Sequence, residues 1–174
     1  NTGIQIDNYF YYSIFNDVLC YFCNFGFKTN GAANHAVFNY CKFSQNNVGF
    51  ISEHSGSGIS FNDCYFEGNQ TAIQALITNS IRITRCYFEH NVQYNIDIEC
   101  SQEQSQPIVY LNNSYFCFWD SYAPPIRAII KITSAQNTVT TCVITENVLH
   151  KGSNGYIDYF IYAVGDGNVI IKAE

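Results

Sequence analysis

The stretch FNDCYFEGN (residues 61–69) recurs as ITRCYFEHN (residues 83–91), one short interval further along the chain. Both copies carry Cys-Tyr-Phe-Glu, then one variable residue, then Asn. The Cys of each copy is preceded by a segment that alternates between apolar and polar side chains, ISF (59–61) and IRI (81–83). A unit that repeats at such a short interval indicates a solenoid, in which each repeat stacks on the next and buries its apolar face there.

Alignment on the Cys position extends this repeat over most of the chain, with anchors that are 21 to 28 residues apart. The predicted anchors are Cys20, Cys41, Cys64, Cys86, Ser114 and Cys142. An apolar residue follows each anchor two positions later: Phe22, Phe43, Phe66, Phe88, Phe116 and Ile144. Asn follows four of the anchors five positions later, as Asn46, Asn69, Asn91 and Asn147.

Each unit contains three short alternating segments, which predict three strands. In one unit they are ISF (59–61) before the anchor, CYF (64–66) at the anchor and IQA (73–75) after the Asn. Three strands in about 22 residues favour a parallel β-helix in which each unit forms one coil. We therefore predict an all-β fold, a single-stranded parallel β-helix of about six to seven coils. Residues 1–150 would form the coils, and residues 151–174 would form capping or trimerisation strands of the same domain.

Equivalent residues of successive coils in a β-helix stack at the strand spacing of about 4.8 Å. The Cys and Phe columns are apolar and share one face of the strand by alternation, so we expect them to fill the core. The Asn column fits a turn, because Asn tolerates the left-handed conformation and its amide can hydrogen-bond along a stack. Asp63 and Arg85 should also stack, and we expect them to form an ion pair between coils.

Tyr recurs in the outward position that follows the anchor. The predicted column contains Tyr21, Lys42, Tyr65, Tyr87, Tyr115 and Val143. Three interpretations stay open: the Tyr rings stack on sugar faces, they pack against another subunit, or they reflect the preference of Tyr for strands.

Two pairs of outward carboxylates are candidate catalytic residues. Glu67 and Glu89 should be stacked neighbours, which is the spacing of the acid and the nucleophile in a retaining glycosidase; two solvated surface acids would look the same. Asp97 and Glu99 alternate on the outward side of YNIDIEC (94–100), and Glu53 with the adjacent His54 is expected nearby.

Two irregular stretches, residues 100–108 and 117–126, enlarge their coils and predict loops. The second contains Trp119, the only Trp of the chain, and Asp120. We predict that Trp119 and Asp120 contact glycan together with Tyr65, Tyr87 and Tyr115. A loop packed onto the helix is the other interpretation.

Composition excludes several classes of function. The net charge of −6, with only eight Lys and Arg, disfavours a nucleic-acid partner. No apolar run reaches the roughly 18 residues that a membrane-spanning helix needs. Cys20 and Cys23 form the only CxxC pair among the eight Cys, so we predict free buried thiols, no metal site and no cofactor. The abrupt start, NTGIQID (1–7), leads us to expect a fragment or mature piece of a longer protein.

The repeats CKFSQNNVGF (41–50), CYFEGNQTAI (64–73) and CYFEHNVQYNI (86–96) resemble the coils of pectate-lyase-like right-handed β-helices. Their shared pattern, C/S-x-F-x-x-N-x-x-x-I, is especially similar to that of bacteriophage tailspike proteins, and the resemblance covers residues 4–150. It implies a right-handed helix, assembly as a homotrimer at the virion tail, and binding of host capsule or O-antigen polysaccharide. Many such proteins cleave that polysaccharide, but no motif transfers catalytic positions to this chain.

Three functions follow as expectations. The first is a phage tailspike or tail-fibre domain that binds host surface polysaccharide and cleaves it by glycoside hydrolysis, located at the virion tail. The second is a non-catalytic structural or adhesive trimeric β-helix. The third is a polysaccharide lyase or uronate epimerase, and a secreted bacterial protein is the alternative location.

Overall fold

Parallel strands form all of the regular secondary structure in the part of the chain that the computed structural model describes, residues 1–100, 106–118, 126–151 and 157–173. The strands form three long sheets and one short sheet. Within these residues, no helix is long and apolar enough to cross a membrane.

Sheet 1 contains β1 (Thr2–Ile6), β5 (Phe25–Thr29), β9 (Val48–Gly56), β12 (Thr71–Ile77), β15 (Tyr94–Cys100), β18 (Ile126–Ser134) and β21 (Ile157–Gly165). Sheet 2 contains β3 (Ile14–Asn16), β7 (Val37–Asn39), β10 (Ile59–Asn62), β13 (Ser80–Thr84), β16 (Ile108–Asn112), β19 (Val139–Thr145) and β22 (Asn168–Ala173). Sheet 3 contains β4 (Leu19–Tyr21), β8 (Lys42–Ser44), β11 (Tyr65–Glu67), β14 (Tyr87–Glu89), β17 (Tyr115–Phe118) and β20 (Val148–Lys151). Sheet 4 consists of β2 (Phe10–Tyr11) and β6 (Ala33–Asn34).

The chain passes through sheets 1, 2 and 3 in turn and then returns to sheet 1 one strand further along. Every strand pairs in parallel with the equivalent strand of the next coil. This path is a parallel β-helix, so the predicted fold and the three strands per unit are confirmed. The last strands, β21 and β22, continue sheets 1 and 2 by pairing with β18 and β19.

The core consists of columns of identical side chains, as the repeat predicts. Phe43, Phe66, Phe88 and Phe116 are fully buried, and their rings stack at centroid distances of 4.9 to 5.1 Å. That distance is close to the spacing of hydrogen-bonded strands, because each ring is carried by a strand paired in register. The Phe column therefore needs no side-chain adjustment from one coil to the next.

The corner between sheets 2 and 3 begins in each coil with one residue in the left-handed conformation, followed by an inward-pointing residue. At the corner between sheets 2 and 3 the left-handed residues are Asp17, Tyr40, Asp63, Arg85, Asn113 and Glu146, with φ between 52° and 55°. The inward residues at this corner include Cys41, Cys64 and Cys86, which are at most 1% exposed. Each thiol donates to backbone carbonyl groups at its own corner, as Cys64 Sγ does to the carbonyl oxygen of Asn62 at 3.3 Å. The Cys column thus fills the corner, and it satisfies polar groups there.

A buried Asn ladder forms the corner between sheets 3 and 1. Asn46, Asn69 and Asn91 are at most 3% exposed. Asn69 Oδ1 accepts from the backbone N–H and the side-chain amide of Asn46 at 3.0 and 3.1 Å. Asn69 Nδ2 donates to the carbonyl oxygen of Phe43 at 2.9 Å and to Asn91 Oδ1 at 3.0 Å. Each amide therefore satisfies backbone groups that the turn would otherwise leave unpaired.

The predicted register is wrong in the first coil. Cys20 pairs with Phe43, so it belongs to the Phe column, and Val18 occupies the place given to Cys20. Phe22 is a left-handed corner residue that is 64% exposed, and it does not lie in the core. Tyr21 consequently pairs with Ser44 and lies outside the Tyr column. The alignment failed here because it was made on Cys, and the corner of this coil carries Val18 in place of Cys.

The predicted register is also wrong in the last anchored coil. Cys142 pairs with Val109 inside sheet 2, two strand positions before Ile144. The anchor place belongs to Asn147, whose Oδ1 accepts from the backbone N–H of Ser114 at 2.9 Å. Asn147 therefore does not extend the Asn ladder. A polar side chain replaces the Cys at this corner because it supplies the same kind of hydrogen bond.

Replacing Asn69 with Ala should destabilise the helix by about 3 kcal/mol or more, because several buried backbone and amide groups lose their partners at once. The measurement is the free energy of unfolding in urea. Asn39→Ala is the matched control: Asn39 Nδ2 donates to Asn16 Oδ1 at 2.9 Å in an exposed ladder on sheet 2. Its loss should cost less than about 1 kcal/mol. Equal costs for the two variants would contradict the assigned role of the buried ladder.

Only one thiol should react quickly with a thiol reagent in the native protein. Cys23 is half-buried, and the other seven Cys are buried. Burial raises the pKa of Cys20 to about 11 and that of Cys142 to about 12, which keeps both thiols protonated and unreactive. Reagent titration should count one fast thiol, lost in Cys23→Ser, and all eight after unfolding without reductant. Fewer than eight would reveal a disulfide and contradict this arrangement.

Candidate functional site

Glu67 and Glu89 lie side by side on the outer face of sheet 3, as direct register partners in β11 and β14. Glu67 lies 3.0 Å from Lys42 Nζ, and its carboxylate accepts from Ser44 Oγ at 3.3 Å. Glu89 accepts a short hydrogen bond from the Tyr65 hydroxyl. Each carboxylate is thus held by side chains of the preceding coil, which offsets the repulsion expected between like charges on neighbouring strands.

The Tyr column forms a stack of rings on the same face. Tyr65, Tyr87 and Tyr115 stack at centroid distances of 4.9 Å, with interplanar angles of 4° and 7°. Lys42 Nζ lies 4.7 Å from the centroid of Tyr65, and the His150 ring lies 6.3 Å from that of Tyr115. Both faces of Tyr87 are therefore covered by its neighbours, and a ligand would meet ring edges and hydroxyl groups. Glycan binding by these residues stays a prediction.

The surroundings of the stack favour neutral hydroxyl groups. Partial burial, together with the nearby charge of Glu89, raises the pKa of Tyr87 to about 12. For Tyr65, burial and the hydrogen bond to Glu89 likewise raise the pKa above its ordinary value. A tyrosinate at either position would stand beside a carboxylate with little water to solvate it.

The free energy of unfolding should fall as the pH rises from about 10 to about 12. In this range Tyr87 of the unfolded chain loses its proton while folded Tyr87 keeps it, so stability present below pH 10 is lost as the pH approaches 12. Chemical unfolding at a series of pH values measures the slope. Tyr87→Phe removes the ionisable group and should make the decline shallower. An identical slope in that variant would contradict the raised pKa.

An open groove of about 380 Å³ on the outer face of sheet 1 brings Asp97 and Glu99 together. The two acids lie on the outer side of β15. They alternate with Ile96 and Ile98, which are buried on the inner side, as predicted. The preceding and following coils supply the rest of the lining, which includes Ser52, Glu53, Gln74, Leu76, Lys131 and Thr133. The groove is thus built from side chains of four successive coils.

Asp97 forms an ion pair within the groove. Lys131 is its register partner in β18, and Lys131 Nζ lies 3.1 Å from Asp97 Oδ2. The same ammonium lies 5.1 Å from the centroid of the Tyr94 ring. The two side chains are only 25% and 14% exposed, so the pair is well shielded from solvent. Lys131 consequently fixes the position of the Asp97 carboxylate.

Glu99 differs from Asp97 in its surroundings. Its register partners are Leu76 in the preceding coil and Thr133 in the following one, neither of which can form an ion pair. Glu99 is exposed, and no ion-pair partner for it occurs among the described residues. His54 was expected beside these acids, but it is exposed and does not line the groove.

The remaining predicted contact residues, Trp119 and Asp120, lie outside the described residues. In the described ranges no group of three or more His, Cys, Asp or Glu side chains could hold a metal ion.

Lys131 is the charged residue of the groove lining that the sequence analysis missed. Its local sequence IIKIT (129–133) has the same alternation as NIDIE (95–99), and alignment of the two would have paired Lys131 with Asp97. The irregular stretch 117–126 separates the two segments and shifts the spacing. Alternation within the strand was therefore a better guide to this coil than the distance from the previous anchor.

Comparison with known proteins supports this architecture. The family described as the right-handed β-helix region matches residues 2–173. The chain belongs to the right-handed β-helix family. Domains of this family occur in polysaccharide-acting enzymes and in adhesins. No curated protein and no solved structure matches the chain. The general β-helix resemblance is thus confirmed, and its narrower pectate-lyase-like and tailspike parts stay predictions.

Proposed function

We propose that this β-helix is a domain of a phage tailspike or tail fibre that binds host surface polysaccharide and cleaves it by hydrolysis. The observation that carries the proposal is the sheet 1 groove, which holds Asp97 and Glu99 on one strand with a Lys beside one of them. The concave surface runs across several coils, as the binding of an extended polymer requires. Capsule or O-antigen would be the ligand, and the virion tail the location.

The two acids have different surroundings, as the two carboxyl groups of a glycosidase must. Alternate residues of a strand lie about 7 Å apart, so side-chain rotation brings their carboxyl groups within the range that glycosidases use. In the proposed mechanism Glu99 protonates the glycosidic oxygen as its bond to the anomeric carbon breaks. Asp97, positioned by Lys131, stabilises the positive charge that develops on the sugar and activates the attacking water.

Glu67 and Glu89 form the second candidate pair of catalytic residues, on sheet 3. Their closeness fits a retaining mechanism. Their hydrogen bonds and ion pair with the preceding coil give them a structural role as well. We rank them after Asp97 and Glu99 because the groove lies on sheet 1.

Asp97→Asn and Glu99→Gln should each lower the rate of polysaccharide cleavage by about 10²- to 10⁴-fold, because each removes a proton-transferring or charge-stabilising group. The assay is incubation with a panel of bacterial capsules and O-antigens, with the products identified by mass. Hydrolysis adds one water to each pair of products, whereas elimination adds none and leaves an unsaturated sugar.

Asp63→Asn is the matched control, because it also neutralises one ion-paired carboxylate, at the corner between sheets 2 and 3. It should leave the rate unchanged. Loss of activity only in Glu67→Gln and Glu89→Gln would move the site to sheet 3. Full activity in all four variants would contradict catalysis by these acids. A chain that binds polysaccharide without cutting it would be an adhesive or structural β-helix, for which the exposed apolar side chains of the first coil supply a contact surface.

A further inference from the structure

The charges around the sheet 1 groove determine which polymers it can accept. We infer that the groove selects neutral or amino-sugar polysaccharide and rejects chains that carry uronate, sialate or other acidic groups. This inference rests on the proposed function, since it names the substrate class of the same groove.

Both Lys side chains that the structure describes on the outer face of sheet 1 are already neutralised by the protein. Lys131 pairs with Asp97 at 3.1 Å and lies over the Tyr94 ring. Lys28 pairs with Glu53 at 2.7 Å and lies 4.9 Å from the centroid of the Phe25 ring. The Lys28 side chain is 17% exposed and the Lys131 side chain is 25% exposed, so each ammonium has little surface left for an incoming carboxylate.

Other described cations lie away from this groove. Lys42 pairs with Glu67 on sheet 3, and Arg85 pairs with Asp63 at the corner between sheets 2 and 3. Arg82 lies over the Tyr110 ring on sheet 2. A polymer seated in the sheet 1 groove would reach none of them, because they face other sides of the helix.

Once the two ion pairs are counted, Glu99 in its ionised form leaves the described groove with one uncompensated negative charge, whereas the protonated form that would act as the acid in cleavage leaves none. An acidic sugar placed there would bring a second carboxylate close to Glu99 and lose part of its hydration, and no free cation among the described side chains of the groove offsets either cost. A neutral sugar incurs no such repulsion, and a free amino group would be attracted. The lyase and epimerase alternatives become less favourable for the same reason, because they act on uronates and need a cation beside the sugar carboxylate.

The test uses uronate-bearing capsules, each assayed before and after chemical reduction of the carboxyl groups to alcohols. Reduction keeps the polymer and removes its charge. Neutral O-antigens and polymers with free amino groups complete the panel, and retention of the labelled protein on the immobilised polymer is measured. We expect retention on neutral or amino-sugar members, and retention on uronate capsules only after reduction.

Two variants locate the effect in the groove. Glu99→Gln removes the uncompensated charge, and Glu53→Gln leaves Lys28 without its carboxylate partner. Each should strengthen binding of unreduced acidic polymer roughly three- to tenfold. Asp63→Asn changes the net charge equally, but it acts at another corner and should have no effect.

The dependence of binding on salt concentration shows independently whether the groove repels or attracts acidic polymer. Added salt screens the repulsion, so any residual binding of acidic polymer should increase with salt, while binding of neutral polymer should not change. Stronger binding of the unreduced than of the reduced capsule, weakened by salt, would overturn the inference and leave glycan binding in place. Retention on no polymer of any class would instead refute the proposed function, and the inference with it.

Discussion

Parallel pairing in register is the constraint from which the rest of this structure follows. Because each strand pairs with the same strand of the next coil, a side chain meets its own equivalent at about 4.8 Å. A residue type whose side chain is stabilised by contact with an identical side chain is therefore favoured in such a column. Phe rings stack face to face, and Asn amides donate to one Asn and accept from another. The same rule penalises charge, because a carboxylate repeated on neighbouring strands repels its copy.

The charged residues of the outer faces follow from that penalty. Lys42 pairs with Glu67 of the next coil, Asp63 with Arg85, and Asp97 with Lys131, so each of these acids has an opposite charge on a neighbouring coil. The pair Glu67 and Glu89 departs from this pattern, and the preceding coil compensates by supplying Ser, Lys and Tyr donors. Stacking also uses up surface that would otherwise bind ligands. The face of Tyr87 is unavailable because Tyr65 and Tyr115 occupy both sides of it.

Columns of one residue type could be predicted from the sequence, and columns of mixed type could not. The Cys, Phe and Asn columns between Cys41 and Asn91 were predicted because each repeats without change over three adjacent coils. At the two ends of the helix the corner residue is Val18 or Asn147 and not Cys. The nearby Cys20 and Cys142 were therefore aligned as anchors, although they belong to other columns. The corner requires only a small inward side chain or a hydrogen bond to the backbone, and several residue types supply one or the other. The groove was predicted in part: alternation placed Asp97 and Glu99 on one face, but the partner of Asp97 lies 34 residues later, beyond an irregular stretch.

A position whose neighbours do not resemble it is more informative about function than the repeat itself. Stacking stabilises a residue only when the next coil carries a partner of matching chemistry. Glu99 stands between Leu76 and Thr133, so it gains nothing from its column and pairs with no described cation. An exposed acid at such a position contributes little to folding, whereas Asp97 on the same strand is held by Lys131. The contrast gives the groove one fixed carboxylate and one free one, the asymmetry that acid-assisted cleavage of a glycosidic bond requires.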